Sequence, residues 1–129
     1  MENKEQHILV IEDDKGIINV LKAIFRIYNI KVIFAENGKT GLEVFKNNAI
    51  QAVVCDFMLP DINGDIVLKE IRTNTDRQDT PFIFLSAFAD PEDVRKGIAA
   101  GADAYITKPF TAQGLVDVIK KYTANLQEI

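Results

Sequence analysis

Cysteine is almost missing from this chain, and the one present, Cys55, has no partner for an internal disulfide, which fits a reducing compartment. No stretch approaches the roughly 18 uninterrupted apolar residues that a membrane span needs, so no membrane role is expected. The opening MENKEQHILV lacks the basic patch and apolar run of a secretory signal, and the expectation is a cytoplasmic protein. Glycine and proline are not enriched, at 7 and 4 residues, which excludes the composition of a disordered segment. Positive charge is also scarce: 15 lysines and arginines against 19 acidic residues leave a net charge of −4. Direct binding of nucleic acid, which relies on many cationic contacts to phosphate, is therefore not expected.

What is present suits one core. The 129 residues predict a single domain over 1–129, with structured core from about 6 to 124. Five short apolar runs alternate with segments of helical period: His7 to Glu12, Lys31 to Ala35, Gln51 to Asp56, Pro81 to Ser86 and Ala104 to Thr107. Between the first two, Ile17, Leu21, Ile24 and Tyr28 recur at helical spacing, with Ile18 and Phe25 beside them. Further helices are predicted near Lys39 to Asn47 and Asp65 to Thr73. Another is capped by Asp90 ahead of Pro91 and stopped at Gly101, and a last one is capped by Thr111 with Leu115, Val118, Ile119 and Tyr122 inward. Pro60 to Gly64 reads as a loop and Thr73 to Thr80 as a polar connector. The pattern predicts an α/β fold, a doubly wound five-stranded parallel sheet of (βα)5 type, covered on both faces.

Ligands in such sheets bind beyond the carboxyl ends of the strands. Glu12, Asp13 and Asp14 stand at the first end, Asp56 at the third, Ser86 and Ala87 at the fourth, and Lys108 at the fifth. Close carboxylates repel one another, and a hard divalent cation with oxygen ligands relieves that repulsion; Mg²⁺ suits because it accepts few protein ligands and shares its shell with phosphate. A lysine and a hydroxyl beside them would neutralise and hold phosphoryl oxygens, which makes Asp56 a candidate nucleophile toward phosphorus. Taken singly, the acidic trio reads as a helix N-terminus, Ser86 as a cap and Lys108 as a surface charge. An aspartate closing the run Ala-Val-Val-Cys has no such structural purpose.

These residues resemble the receiver domains of two-component response regulators along nearly the whole chain. ILVIEDD is similar to the family's first strand and acidic pair, DFMLPDING to its phosphoacceptor strand and loop, Ser86-Ala87 to its hydroxyl and small residue, and GADAYITKPF to its lysine segment. The resemblance implies a flavodoxin-like strand order 2-1-3-4-5 and Asp56 as acceptor. It implies Mg²⁺, with Mn²⁺ as the alternative, ligated by Asp13, Asp56 and the backbone carbonyl of Met58, and by Glu12 through water. It further implies phosphate binding by Lys108, Ser86 and the backbone of Phe57, Met58 and Ala87, a switch of Ser86 and Tyr105, and a cis bond before Pro109. Implied partners are a sensor histidine kinase or histidine phosphotransfer protein and a downstream effector, reached through the fourth helix, fifth strand and fifth helix. The domain would catalyse only its own phosphorylation and dephosphorylation. Two departures stand out: Glu12 replaces the more frequent aspartate, and Val118 stands where a dimerising DNA-binding subfamily often has arginine. A monomer or a phosphorylation-dependent dimer is expected.

Other readings have specific obstacles. An aspartyl-phosphate hydrolase of the haloacid-dehalogenase kind needs an acid two places after its nucleophile, where Met58 stands. A nucleotide or flavin site needs a glycine-rich cradle, and the first turn is Glu-Asp-Asp-Lys-Gly. A degenerate scaffold would not need Asp13, Asp56, Ser86 and Lys108 together. Cys55 is expected in the core on the face opposite Asp56, and His7 at the surface or a sheet edge. Met58 and Phe88, two places beyond Asp56 and Ser86, are expected to border the path of water to phosphorus and to slow hydrolysis.

Overall fold

Alternation along the strands produces two apolar layers, one on each side of a sheet. In the computed structural model, which describes residues 5–123, the elements run β1 (His7–Ile11), α1 (Lys15–Ile27), β2 (Val32–Ala35), α2 (Gly38–Asn47), β3 (Ile50–Cys55), α3 (Gly64–Asn74), β4 (Phe82–Ser86), α4 (Pro91–Ala99), β5 (Ala104–Thr107) and α5 (Ala112–Tyr122). All strand pairs are parallel in the order 2-1-3-4-5, as expected. The boundary expected at 124, and the terminal Ala124 to Ile129, lie outside the described residues.

Ile8, Val10, Ala52, Val54, Ile83 and Leu85 face one side and meet Leu21, Ile24 and Phe25 of α1 and Leu115, Val116 and Ile119 of α5. Leu9, Ile11, Val53, Cys55, Phe82 and Phe84 face the other and meet Phe45 of α2 and Val67, Leu68 and Ile71 of α3. Period two thus assigns each strand residue its layer, and truncating a fully buried member such as Leu21 to alanine would cost about 2–5 kcal/mol. The helix α4 is different: Gly97 is its buried residue, and it lies against Tyr105 and Phe84.

Several local expectations shift. Pro81 has no N–H to give a ladder, so β4 starts at Phe82 and Pro81 serves as acceptor for the Val53 amide. β3 begins and ends one residue early, which leaves Asp56 just beyond it. Asp90 occupies the N-cap of α4 but makes no side-chain cap bond, whereas Thr111 accepts from Gly114 N as expected. On α5, Val116 is fully buried and Val118 and Tyr122 only partly, so the inward face is rotated from the expected stripe. The strand β1 lies between β2 and β3, so His7 is not on an edge, and its ring is half-buried. Gly101 follows the C-cap of α4 with φ +115°, a conformation that side chains disfavour.

Candidate functional site

Register brings the carboxylates together. Ile11 pairs with Cys55, so the next residues, Glu12 and Asp56, leave adjacent central strands side by side; Asp56 N donates to Ile11 O (3.0 Å) and Glu12 N to Ala35 O (2.9 Å). Carboxylate oxygens of Glu12, Asp13 and Asp56 lie within 4.8 Å of one another. Across the sheet, Lys108 N donates to Ser86 O (2.8 Å), and its ammonium returns over the strand ends to reach Glu12 Oε1 at 2.7 Å and Asp56 Oδ2 at 3.1 Å. The bond between Lys108 and Pro109 is cis.

Exposure grades these groups. The Glu12 side chain is 1% exposed, Asp56 13% and Lys108 15%, while Asp13 lies open to solvent. Burial pushes the Glu12 carboxyl above its ordinary value, partly offset by the Lys108 hydrogen bond and the Asp14 amide. Burial also opposes the Lys108 charge, but Glu12 and Asp56 outweigh it and hold the ammonium above its ordinary value. A charged lysine therefore sits between two acids. Both Glu12 oxygens have protein partners, since Oε2 accepts from Asp14 N at 3.1 Å. One lysine does not neutralise three carboxylates, and the remaining oxygen donors, with Asp13 at the open side, fit a hard divalent cation.

The remaining residues fall into two groups. Ser86 ends β4, is 1% exposed, and accepts from Phe88 N through Oγ at 3.1 Å. Tyr105 on β5 donates its hydroxyl to Phe88 O at 2.7 Å, so both meet the backbone of the same residue. The Tyr105 ring lies over Gly97, where a Cβ would come 2.8 Å from Cδ2. Phe57 packs against Phe84 and Phe88 with centroids 5.8 and 5.7 Å apart. Ala87 is exposed, as are the side chains of Met58 and Phe88, at 58% and 39%. Cys55 is buried in the α2/α3 layer, where burial, then the nearby Asp56 and Glu12 charges, push its thiol well up and leave it inert.

Asp61 lies in the loop expected from Pro60 to Gly64, and the sequence assigns it no further role. Its two oxygens accept from Gly38 N and Lys39 N, each at 2.8 Å, at the start of α2. No local pattern pairs positions so far apart; the sole hint is a carboxylate in a loop of otherwise neutral turn residues.

The comparisons agree with this geometry. Residues 8–120 match the family model of the response regulator receiver domain. The chain is 32% identical over 110 residues to the response regulator SaeR of Staphylococcus aureus, covering 85% of this chain and 47% of SaeR. It is similar to the receiver domain of the Francisella response regulator 1452 (32% identity, TM-score 0.86, 95% of this chain and 98% of that one). It is also similar to the receiver domain of the sensor histidine kinase PA1611 of Pseudomonas aeruginosa, solved with a magnesium ion coordinated in its active-site cleft (25% identity, TM-score 0.83, 93% of this chain and 98% of that one). The chain spans about half the length of the curated relatives it matches. With strand order, strand-end chemistry and sequence similarity in accord, the chain belongs to the response-regulator receiver-domain family.

Proposed function

We propose that the chain is a phosphoacceptor switch in which Asp56 takes a phosphoryl group from a phosphohistidine on a sensor kinase or phosphotransfer protein. The observation that carries this reading is the Asp56 carboxylate held 3.1 Å from the Lys108 ammonium inside an acidic trio. Glu12, Asp13, Asp56 and the Met58 carbonyl would hold Mg²⁺, or Mn²⁺ in its place. When bound, the metal neutralises charge on the phosphoryl oxygens. An Asp56 oxygen attacks phosphorus in line, the bond from phosphorus to the donor imidazole nitrogen breaks, and that nitrogen keeps the electron pair and is reprotonated from solvent. Lys108 would balance the charge, anchored by Glu12, and the backbone amides of Phe57, Met58 and Ala87 would donate to the phosphoryl oxygens. Drawing Ser86 Oγ to the phosphoryl group would break its bond to Phe88 N, and Phe88 O is the acceptor of the Tyr105 hydroxyl, so the two movements share one backbone residue. The readout is then a changed surface of α4, β5 and α5 presented to an effector.

The magnesium ion in the PA1611 receiver domain supports the metal assignment. The reading includes a cytoplasmic setting for the phosphohistidine donor; among the described residues no helix is long and apolar enough to cross a membrane. The reaction is confined to the domain's own phosphorylation and hydrolysis. Incubation with acetyl phosphate and Mg²⁺ should add one phosphoryl group by intact mass, abolished by chelation. Equal labelling of Asp56→Asn would remove Asp56 as the acceptor.

A further inference from the structure

The segment between Asp56 and Gly64 carries Met58, and its two attachments differ in kind. At its base Gly64 N donates to Phe57 O at 2.6 Å, and a Cβ on Gly64 would come 2.5 Å from Asp56 O, so the chain closes directly on the acceptor's backbone. At its apex the anchor belongs to another element. Asp61 accepts the amides of Gly38 and Lys39, and Ile62 packs where a Cβ on Gly38 would come 2.4 Å from its Cγ1. Between these anchors the Met58 side chain is exposed and Leu59 turns inward.

The apex contact exceeds what α2 needs for capping. Asn37 is its N-cap and accepts from Thr40 N at 2.8 Å, a local bond that by itself terminates many helices. Asp61 adds a carboxylate from a distant loop to the two amides ahead of it, with charge-assisted bonds directed at the positive end of the helix. Burial opposes its charge, but the backbone amides of Lys39, Gly38, Ile62 and Asp61 together outweigh it and hold the Asp61 carboxyl below its ordinary range, so it is ionised throughout the neutral region.

We propose that Asp61 is a positioning residue for the metal and phosphoryl site: it clamps the loop bearing the Met58 carbonyl to the N-terminus of α2. The proposal rests on the phosphoacceptor reading. A backbone ligand cannot choose a rotamer, so its aim depends on where the loop is fixed, and outer partners of this kind set metal affinity. Linkage makes the effect reciprocal: if the clamp tightens metal binding, bound metal must tighten the clamp by the same factor.

Two measurements test this. Mn²⁺ alone, followed by loss of the free-ion EPR signal, should bind Asp61→Ala about 10-fold more weakly than wild type, with Asp61→Asn between them because it keeps one acceptor oxygen. In the wild-type protein, saturating metal should slow amide exchange at Gly38 and Lys39 severalfold while leaving Gly114, capped by Thr111, unchanged. A plain helix cap would give the same exchange with and without metal. Equal Mn²⁺ affinity of wild type and both variants, or metal-independent exchange at Gly38 and Lys39, overturns the clamp and leaves the phosphoacceptor reading standing. If wild type takes up neither Mn²⁺ nor phosphoryl group, the phosphoacceptor reading itself fails and the clamp with it. Should Asp61→Ala not fold, the Asn variant and the wild-type exchange decide.

Discussion

Removing one charge from the acidic trio should make the metal-free protein more stable, although it damages the site. Asp13 has two carboxylates within 4.8 Å and makes no bond to Lys108 of the kind Glu12 and Asp56 make. At such a separation each like-charge pair costs between about 1 kcal/mol at the dielectric of water and about 3.5 kcal/mol at an effective value of 20. Asp13 is exposed, so the lower figure applies, and the attraction of Lys108 offsets part of the sum. Asp13→Asn should therefore stabilise the metal-free protein by about 1 kcal/mol, or about 3–6 °C in melting temperature for a domain of this size. Magnesium should reverse the order, because ligand binding to the folded state stabilises wild type and much less the variant. The assay is thermal unfolding by circular dichroism in chelator and in millimolar MgCl₂, with NaCl matching the ionic strength. A variant less stable than wild type in chelator would refute the repulsion. A wild-type shift reproduced by NaCl alone would refute a specific cation.

Further expectations concern the signal's lifetime, the scaffold and acid stability. Met58 and Phe88 are apolar and exposed and offer no hydrogen bond to a water attacking the proposed phosphoaspartate, so the phosphorylated protein should decay slowly. Phe88→Glu or Met58→Asn should hasten the loss of radiolabelled phosphate; wild-type decay complete within seconds, or both variants matching wild type, would contradict this. Arg72 joins α3 to two loops through Gly101 O (2.9 Å), Gln78 O (2.8 Å), Thr80 O (2.7 Å) and Asp103 Oδ2 (3.1 Å). Arg72→Ala should cost about 2 kcal/mol in urea unfolding, and Lys should recover little because it cannot reproduce the planar fork. Asp61 has a folded-state pKa below its ordinary 3.8, so its stabilising contribution is complete above that value and lost as pH falls through the folded one. Asp61→Asn should flatten the acid limb of the stability profile there by a few tenths of a kcal/mol, a figure kept small by its exposure. An unchanged acid limb would contradict it.

Much of this protein could be read along the chain because its signals are local. Alternation at Ile8 to Ile11 or Phe82 to Leu85 needs only a pleated strand, and the Ile18, Leu21 and Phe25 face of α1 needs only a helical turn. Glu12, Asp13, Asp56, Ser86 and Lys108 were legible as a group because parallel strands of similar length put their carboxyl ends on one edge of the sheet. The sequence did not say that Lys108 would bridge to Glu12 as well as to Asp56, since that depends on how two strand ends separated by 96 residues are staggered in three dimensions. Nor did it reveal Arg72 at the Gly101 carbonyl or Asp61 at the α2 amides. A side chain's hydrogen-bonding capacity is written in its residue type, but its partner is whichever unsatisfied backbone group the packed elements bring within about 3 Å. The residues determined the layers and the chemistry at the strand ends, and tertiary packing alone decided which loop carboxylate, cation and helix terminus meet around that edge.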